Sequence, residues 1–421
     1  MRLFTVGPVM MYPDILEGSG KQLPYFRTSQ FSEIMLESES ILKGLLGAGE
    51  GSRVAFLTAS GTGAMEASVA GFFGRTDRLL IIRGGGFGKR FCEICDAHGI
   101  PHDDVELPFG KALTESDLAR FAGTEYSGML VNMDETSTGQ LYDIKMLSAF
   151  CRRKGMYLIV DAISAFLADP IDMEKDGIDA LLIRSQKALS LAPGISAVVM
   201  RRGIYEEKLL PRDSGLYYLD LKRHILDQER GQTPFTPAVG ILLDLNAMLR
   251  KVAKEGLEAK IKRTADLAAY FRKGASEMGI PMPDYPLSNA VTPILFDGNA
   301  YDVFLKLRDE YDITLTPSGG DLRGKILRVG HIGNLSEEDY DVLFDALKEV
   351  LGKRGCLASS SRLRNRCRRR KGSLRRLCGP PPAAGSCNRR TCVPAYGPTP
   401  AGAVFRCLRT RALLASRNPL S

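Results

Sequence analysis

A lysine and an aspartate each stand at the end of a short apolar segment that is expected to form a buried strand. Lys187 comes just after residues 180–183, and Asp161 directly follows residues 157–160. A lysine can hold an aldehyde cofactor as a Schiff base where its amine loses a proton readily, which a desolvated pocket promotes. A carboxylate can keep a pyridine nitrogen protonated, so that the ring accepts electrons from the substrate carbon. The pair indicates a pyridoxal phosphate (PLP) site, while a structural ion pair or, for Asp161, a helix cap would give the same pattern.

Two turns rich in small residues could hold the rest of such a cofactor. Residues 59–66 follow the first apolar segment and open a helix, so that backbone amides and the hydroxyls of Ser60 and Thr62 can approach a phosphate. Residues 84–89 place Phe87 among glycines, where its ring could lie against a planar cofactor ring. A tight connection and a dinucleotide loop are the alternatives, but the glycines lack the G-x-G-x-x-G spacing. These features favour PLP over a nicotinamide cofactor.

Other groups of reactive side chains do not form a recognisable catalytic pattern. One exception is residues 134–139, which leave a further apolar segment with a cluster of hydroxyls and carboxylates at the edge where a cofactor would sit, although a turn-rich loop could have the same composition. The four histidines are spread over separate segments, and Cys92 and Cys95 have no second cysteine pair nearby. No zinc-protease or nucleophile-elbow motif occurs in the first 352 residues. We therefore expect no metal site and no hydrolytic triad.

The elements that would position these residues alternate between apolar and amphipathic segments. Amphipathic stretches at residues 64–73, 89–98 and 144–154 separate apolar ones, which typifies βαβ units and a mostly parallel sheet with its ligands at the carboxyl ends of the strands. The predicted strands are residues 54–57, 79–82, 129–131, 157–160, 180–183 and 197–200.

The chain changes character after residue 240. Residues 241–278 have a long helical periodicity, and Ser336 begins a last helix with Asp339 in position to cap it. Strands are expected at 291–296 and 325–329, with a helix over 300–311 between them. We predict a large domain over residues 21–240 and a smaller α+β domain over 241–352.

Charge and cysteine divide the chain near residue 353. Residues 353–421 hold 17 of the 57 Lys and Arg, none of the 49 Asp and Glu, and six of the nine cysteines. The first 352 residues therefore carry a net charge of −9, although the whole chain carries +8. We predict a basic, disordered tail, which could be a nucleic-acid or membrane-surface segment, a solvated extension or the product of a shifted reading frame. The scattered thiols, the absence of a secretory signal and the lack of a long apolar run predict a cytoplasmic protein.

Eight short motifs, in order, resemble those of class V aminotransferases, a family of fold type I PLP enzymes. The resemblance covers roughly residues 3–351 and is strongest to the alanine-glyoxylate, serine-pyruvate and 2-aminoethylphosphonate-pyruvate branch. It implies an α/β fold, with a mostly parallel sheet in a large PLP-binding domain and a smaller α+β C-terminal domain. The motifs are residues 4–8, 60–62, 86–88, 135–139, 160–162, 185–189, 235–237 and 327–330.

The resemblance implies a role for each residue that matches a cofactor motif. Lys187 would be the Schiff-base lysine and proton shuttle, Asp161 the partner of the pyridine nitrogen, and Phe87 the stacking residue. The remaining cofactor contacts would come from Ser60, Gly61 and Thr62 at the phosphate, Thr138 near the ring hydroxyl, Gln186 against the cofactor, and Thr236 reaching the phosphate from the other subunit of a homodimer.

The resemblance also implies the substrate contacts and the activity. Arg328 would bind the substrate carboxylate with its planar fork, and Gly7 would lie in an N-terminal segment, residues 1–20, that lines the site. Arg27 matches a substrate-binding position, but Phe26 stands where histidine is common, so the substrate stays open. The implied activity is ping-pong transamination from a small amino acid or 2-aminoethylphosphonate to pyruvate or glyoxylate. The alternatives are a class V lyase or desulfurase and, without catalysis, nucleic-acid binding by the tail.

Overall fold

The computed structural model describes residues 1–352, in which strands and helices alternate. The strands are β1 (Arg2–Leu3), β2 (Arg53–Leu57), β3 (Leu79–Arg83), β4 (His102–Glu106), β5 (Gly128–Asn132), β6 (Asp134–Glu135), β7 (Gln140–Leu141), β8 (Tyr157–Asp161), β9 (Ala180–Arg184), β10 (Ser196–Met200), β11 (Val291–Leu295), β12 (Ile313–Thr314), β13 (Thr316–Pro317) and β14 (Ile326–Gly330). The helices are α1 (Pro13–Ser19), α2 (Ser29–Leu45), α3 (Gly61–Phe72), α4 (Gly86–His98), α5 (Glu115–Ala119), α6 (Ile144–Lys154), α7 (Arg202–Ile204), α8 (Leu221–Gln228), α9 (Val239–Glu255), α10 (Leu257–Glu277), α11 (Ala300–Tyr311) and α12 (Glu337–Gly352).

Seven strands form the central sheet in the order β2-β10-β9-β8-β5-β3-β4. Only β10 runs antiparallel to its two neighbours, and the other four pairings are parallel. The predicted mostly parallel sheet is therefore confirmed. Because the parallel strands point the same way, the turns that follow them meet at one edge of the sheet.

The strands are apolar on both faces because helices cover both sides of the sheet. In β8, Leu158 and Val160 pack into the core on one face, whereas Ile159 packs into the core on the other. Successive side chains of a strand point to opposite faces, so a strand buried on both sides is continuously apolar in sequence. Asp161 ends this strand, and its placement is thus fixed by the apolar residues before it.

The edge strand β4 was not predicted from the sequence. It contains three acidic residues, and all three form ion pairs with arginines that precede or end β3: Arg78 with Asp103 at 2.8 Å, Arg83 with Asp104 at 2.7 Å, and Arg83 with Glu106 at 2.8 Å. A strand at the edge of a sheet has one partner strand only, so charged side chains are tolerated there. The apolar pattern that identified the other strands is therefore missing.

The last part of the described chain forms a second core around a small antiparallel sheet, ordered β11-β14-β13. Side chains from α10, α11 and α12 pack against this sheet. The periodicity over residues 241–278 belongs to two helices, because Gly256, with φ of +92°, separates α9 from α10. Since α9 packs into the core of the large sheet, the domain boundary expected at residue 240 stays a prediction.

Two further predictions concern the ends of this region. The helix expected from Ser336 is α12, and the Asp339 carboxylate accepts a hydrogen bond from the Ser336 amide at 3.1 Å. No helix between residues 1 and 352 has both the length and the apolar composition needed to cross a bilayer. The predicted basic tail, residues 353–421, lies outside the described residues.

Candidate active site

A cavity of about 230 Å³ lies at the carboxyl edge of the central sheet. Turns after β2, β3, β8 and β9 contribute its walls. Seven residues that the sequence predicted line it: Gly7, Gly61, Thr62, Phe87, Asp161, Gln186 and Lys187. Six further lining residues were not predicted: Met65, Arg90, Thr136, Ile163, Ser164 and Arg184.

Lys187 is buried in the wall of this cavity, and its amine donates a hydrogen bond to the backbone carbonyl of Val6. Burial lowers the pKa of Lys187 from its usual 10.5 to about 8, although the nearby carboxylate of Asp134 acts in the opposite direction. Such an amine loses its proton close to neutral pH, and the neutral form is the nucleophile. Lys187 therefore has the protonation behaviour that covalent attachment of an aldehyde requires.

Gly7 allows the N-terminal segment to approach this lysine closely. A Cβ atom at position 7 would lie 2.8 Å from Cδ of Lys187, and the residue has φ of +121°, which disfavours other side chains. The segment is held in place by the pairing of β1 with β12 and by a hydrogen bond from the Gly330 amide to the Phe4 carbonyl at 2.7 Å. A glycine is therefore needed where this segment lines the cavity.

Asp161 lies in the same cavity, at the end of β8. Its carboxylate accepts hydrogen bonds from Asn132 Nδ2 at 2.7 Å and from the Ile163 amide at 2.9 Å. Burial raises the pKa of Asp161 to about 6, and these two donors limit the rise. The carboxylate is therefore mainly ionised at pH 7, which suits a partner for a protonated ring nitrogen.

The turn before α3 has the form of a helix start that can receive an anion. Ser60 caps the helix, because its Oγ accepts a hydrogen bond from the Gly63 amide at 3.3 Å. Gly61 and Thr62 line the cavity, whereas Ser60 is exposed and does not. The positive end of the helix dipole lies at this turn.

Phe87 is positioned by the glycine-rich turn before α4. The amides of Phe87 and Gly88 donate hydrogen bonds to Oε2 of Glu135, at 3.1 and 3.0 Å. A Cβ on Gly88 would lie 2.5 Å from the Ile82 carbonyl oxygen, so this turn requires a glycine there. Phe87 lines the cavity. The guanidinium of Arg90 lies over the Phe87 ring, 4.7 Å from its centroid.

Thr138, which was predicted near the cofactor ring, is buried away from the cavity lining. Its Oγ1 donates to the Glu135 carbonyl at 3.3 Å, and its own carbonyl accepts from Tyr285. Thr136 lines the cavity instead, and its hydroxyl lies 2.8 Å from that of Ser164. The turn at 135–139 folds back on itself. Thr136 and Thr138 are only two positions apart in sequence, but only Thr136 faces the cavity.

Arg27 and Thr236 also lie outside the cavity lining of the single chain. The Arg27 guanidinium is exposed and donates to Gln232 Oε1 at 3.2 Å and to the Thr233 carbonyl at 2.7 Å. Thr236 is exposed in the same segment. Their contacts with a substrate or cofactor stay predictions, and for Thr236 the predicted contact is with the phosphate in the other subunit of a dimer.

Arg328 adjoins the cavity through Thr136. Its guanidinium donates to the carbonyls of Thr136 and Pro317, each at 3.0 Å, and its Nε is buried without a partner among the described residues. Burial lowers the pKa of Arg328 to about 10, which leaves the side chain charged at neutral pH. A cation held in this way can receive a carboxylate through its remaining donors.

Asp134 forms a polar chain that leads to the cavity. The Ser164 hydroxyl donates to Oδ1 of Asp134 at 2.6 Å, and Ser164 in turn contacts Thr136. Burial raises the pKa of Asp134 to about 7, and its Oδ2 is buried without a partner within residues 1–352. The cluster at residues 134–139 was visible in the sequence, but nothing in it indicated Ser164 or this connection.

The residues around the cavity fit PLP. Buried polar atoms nearly always have a hydrogen-bond partner, yet Oε1 of Gln186 and Nε of Arg184 have none among the described residues. A bound molecule with a donor and an anionic acceptor would provide both. Lys187, Asp161, Phe87 and the turn at Thr62 would then hold the aldehyde, ring nitrogen, ring face and phosphate of PLP, respectively.

The lowered pKa of Lys187 predicts that the free energy of unfolding depends on pH. The folded lysine, with a pKa of about 8, releases a proton that the unfolded lysine keeps up to its usual 10.5, so its destabilising effect should decrease as pH rises through that window. Relative to a Lys187→Met variant, the PLP-free wild-type protein should gain about 2 kcal/mol of unfolding free energy between pH 8 and pH 10. Urea denaturation of both proteins at the two pH values measures this gain, and a constant difference would contradict the lowered pKa.

Comparisons with known proteins identify the family. The model of the class V aminotransferases matches residues 17–315. The chain is 30% identical over 364 residues to the small subunit of a soluble hydrogenase from Synechococcus sp., covering 84% of this chain and 93% of that protein. It is 28% identical over 368 residues to the alanine-glyoxylate aminotransferase of Felis catus, covering 83% and 87%.

A solved structure agrees with this match. The chain is similar to an aspartate aminotransferase of subgroup IV from Thermus thermophilus, with a TM-score of 0.77, 29% identity, and coverage of 84% of this chain and 99% of that one. The family match includes the turns after β2, β3, β8 and β9 that form the cavity. It also includes β8, which ends at Asp161, and β9, which precedes Lys187. The chain belongs to the class V aminotransferase family, and it is a PLP-dependent transaminase.

Proposed function

We propose that this protein transfers an amino group from a small amino acid or 2-aminoethylphosphonate to pyruvate or glyoxylate by a ping-pong mechanism. The observation that carries the proposal is the pairing of Lys187 and Asp161 in one cavity, the former with a pKa of about 8 and the latter ionised at neutral pH. PLP supplies the electron sink when bound. Lys187 attaches the cofactor covalently and, once displaced by the donor, moves a proton from the donor carbon.

The choice of donors and acceptors draws on relatives with related activities. An L-aspartate–glyoxylate aminotransferase of Paracoccus denitrificans is 27% identical over 302 residues, and a 2-aminoethylphosphonate–pyruvate transaminase of Pseudomonas fluorescens is 29% identical over 306 residues. The purified protein should therefore be screened with alanine, serine, aspartate and 2-aminoethylphosphonate, each against pyruvate and glyoxylate. Absence of turnover with every pair would contradict the proposed substrate class.

Arg328 is proposed to bind the carboxylate that the amino acid and the oxo acid share. Arg328→Gln should raise the KM of both an α-amino acid donor and its 2-oxo acid acceptor by about 10- to 100-fold, because a charge-assisted pair of hydrogen bonds is lost. The affinity for PLP should stay unchanged. Steady-state kinetics and a cofactor titration measure both quantities.

The matched control for this variant is Arg323→Gln, since Arg323 is exposed and its guanidinium lies over the Tyr301 ring at 4.3 Å. It should leave both KM values unchanged. An Arg328→Gln enzyme with wild-type KM values would remove Arg328 from the substrate site.

A desulfurase or another lyase of the same family is the alternative enzyme. A desulfurase needs a reactive cysteine within reach of the substrate, but the three cysteines within residues 1–352, Cys92, Cys95 and Cys151, are buried, and none of them lines the cavity. Burial raises the pKa of each of these thiols to about 12, which keeps them protonated. These observations favour transamination, and the formation of pyridoxamine phosphate would distinguish the two reactions.

We also propose that the protein is a homodimer in the cytoplasm whose sites are shared between subunits. Phe235, which directly precedes Thr236, has its ring 5.6 Å from that of Tyr217, a large side chain that is 68% exposed. Exposed apolar surface of this kind supports a protein interface. A measured mass in solution equal to one chain would contradict the dimer. The nucleic-acid alternative concerns residues 353–421, outside the described residues.

A further inference from the structure

Two arginines meet at one end of the cavity, beside the turn at which α3 begins. Arg90 comes from α4, and its Nη1 donates a hydrogen bond to Thr62 Oγ1 at 3.3 Å. Arg184 is the last residue of β9, and its Cδ lies 3.3 Å from the position that a Cβ on Gly61 would occupy. Both side chains therefore reach the same turn from different elements.

Within residues 1–352, the lining of this cavity holds more basic than acidic side chains. Three lining residues are basic, Arg90, Arg184 and Lys187, whereas only Asp161 is acidic. Burial lowers the pKa of Arg184, and the neighbouring cation Arg90 adds to this effect. Nε of Arg184 is buried and has no hydrogen-bond partner within residues 1–352. Two guanidinium groups in such surroundings are stabilised by an anion that accepts hydrogen bonds from both.

The start of α3 adds to this positive field, since the amides of a first helical turn favour an anion. We propose that Arg184, together with Arg90, binds the phosphate group of PLP, and that Arg184 gives the protein its preference for the phosphorylated cofactor. The inference deepens the proposed function, because it rests on PLP lying with its phosphate at the turn of Gly61 and Thr62.

A second anionic group on the substrate is the other chemistry that could use these arginines. Arg328, the proposed ligand of the substrate carboxylate, donates hydrogen bonds to the carbonyls of Thr136 and Pro317. Arg90 and Arg184 instead contact or adjoin the helix-start turn. We therefore assign the arginine pair to the phosphate, and the experiment separates the two sources of negative charge.

The test compares two cofactors that differ only in the phosphate. Binding of PLP, of pyridoxal and of inorganic phosphate is measured by absorbance and calorimetry on the full-length protein freed of cofactor. Arg184→Gln should weaken the binding of PLP by about 10- to 100-fold and should weaken phosphate similarly, because charge-assisted hydrogen bonds are lost. The affinity for pyridoxal should not change. Arg184→Lys keeps the charge and loses the planar fork, so its affinity for PLP should lie between those of the wild-type and Arg184→Gln proteins.

Unchanged pyridoxal binding also shows that the variant is folded, and Arg75→Gln serves as the control because Arg75 is exposed and does not line the cavity. Equal losses for PLP and pyridoxal, or no loss for either, would overturn the inference. It would also be overturned if PLP binding stayed normal while the KM of aspartate or 2-aminoethylphosphonate rose. Since these affinities are measured without turnover, failure of every donor in the activity screen would contradict the proposed function and leave this result interpretable.

Discussion

Replacing Lys187 with alanine should abolish covalent attachment of PLP and lower the rate of transamination by at least about 10⁴-fold. The variant loses the amine that binds the cofactor aldehyde and also the base that moves the substrate proton. The position of Lys187 in the cavity and its pKa of about 8 suit both tasks. Borohydride reduction followed by peptide mass spectrometry measures the attachment, and steady-state kinetics measure the rate.

The matched control is Lys89→Ala, which removes an exposed lysine that forms an ion pair with Glu93 at 3.3 Å on α4. This control should keep the modified peptide and the wild-type rate. A reduced, cofactor-bearing peptide in the Lys187→Ala protein would assign the attachment to another lysine.

Replacing Asp161 with asparagine should lower kcat by about 10³-fold while leaving PLP attached to Lys187. The substitution keeps the size of the side chain and removes the negative charge that favours a protonated ring nitrogen. Without that proton the ring is a poorer electron sink, so removal of the substrate proton becomes slower. The rate of the donor half-reaction in a stopped-flow instrument measures the change.

An analogue of PLP with a methylated ring nitrogen provides the control, because its positive charge does not depend on Asp161. It should restore part of the rate in the Asp161→Asn protein. Asp172→Asn, a change at a half-buried carboxylate that pairs with Lys175 at 2.7 Å, should alter the rate with neither PLP nor the methylated analogue. A loss in Asp161→Asn that the charged analogue does not relieve would indicate a structural role for this carboxylate.

The elements that the sequence predicted well are those whose neighbours bury them on both sides. The predicted strands at 79–82, 157–160 and 180–183 each extend by one residue in the structure, as β3, β8 and β9. These segments are continuously apolar because they lie inside the sheet. The edge strand β4 has no such pattern, and the separation of α9 from α10 depends on the conformation of one glycine.

The candidate site was predictable where a residue ends a buried strand or forms part of a turn of small residues. Lys187, Asp161 and Gly61 were found in this way, and all three line the cavity. The role of Arg184 was not visible, because an arginine after an apolar segment is more often a strand end facing solvent. Ser164 reaches Asp134 only after the chain folds, so the contact has no signal in the sequence.

The choice between Thr136 and Thr138 shows a different limit. Both residues lie in the same short turn, and the hairpin of β6 and β7 determines which hydroxyl faces the cavity. The sequence cannot show which of the two positions faces the cavity, because both are threonines. The contacts of Arg27 and Thr236 with a substrate or cofactor stay predictions, because neither residue lines the cavity of the single chain.

The most direct test of ping-pong transamination at this site is the donor half-reaction in the absence of an acceptor. The purified protein with bound PLP is mixed with an accepted amino donor, and pyridoxamine phosphate and the oxo product are quantified by chromatography. We expect one equivalent of each per subunit, followed by return of PLP when pyruvate or glyoxylate is added, and neither product in the Lys187→Ala protein. Continued release of oxo product without pyridoxamine phosphate would contradict transamination and identify a lyase.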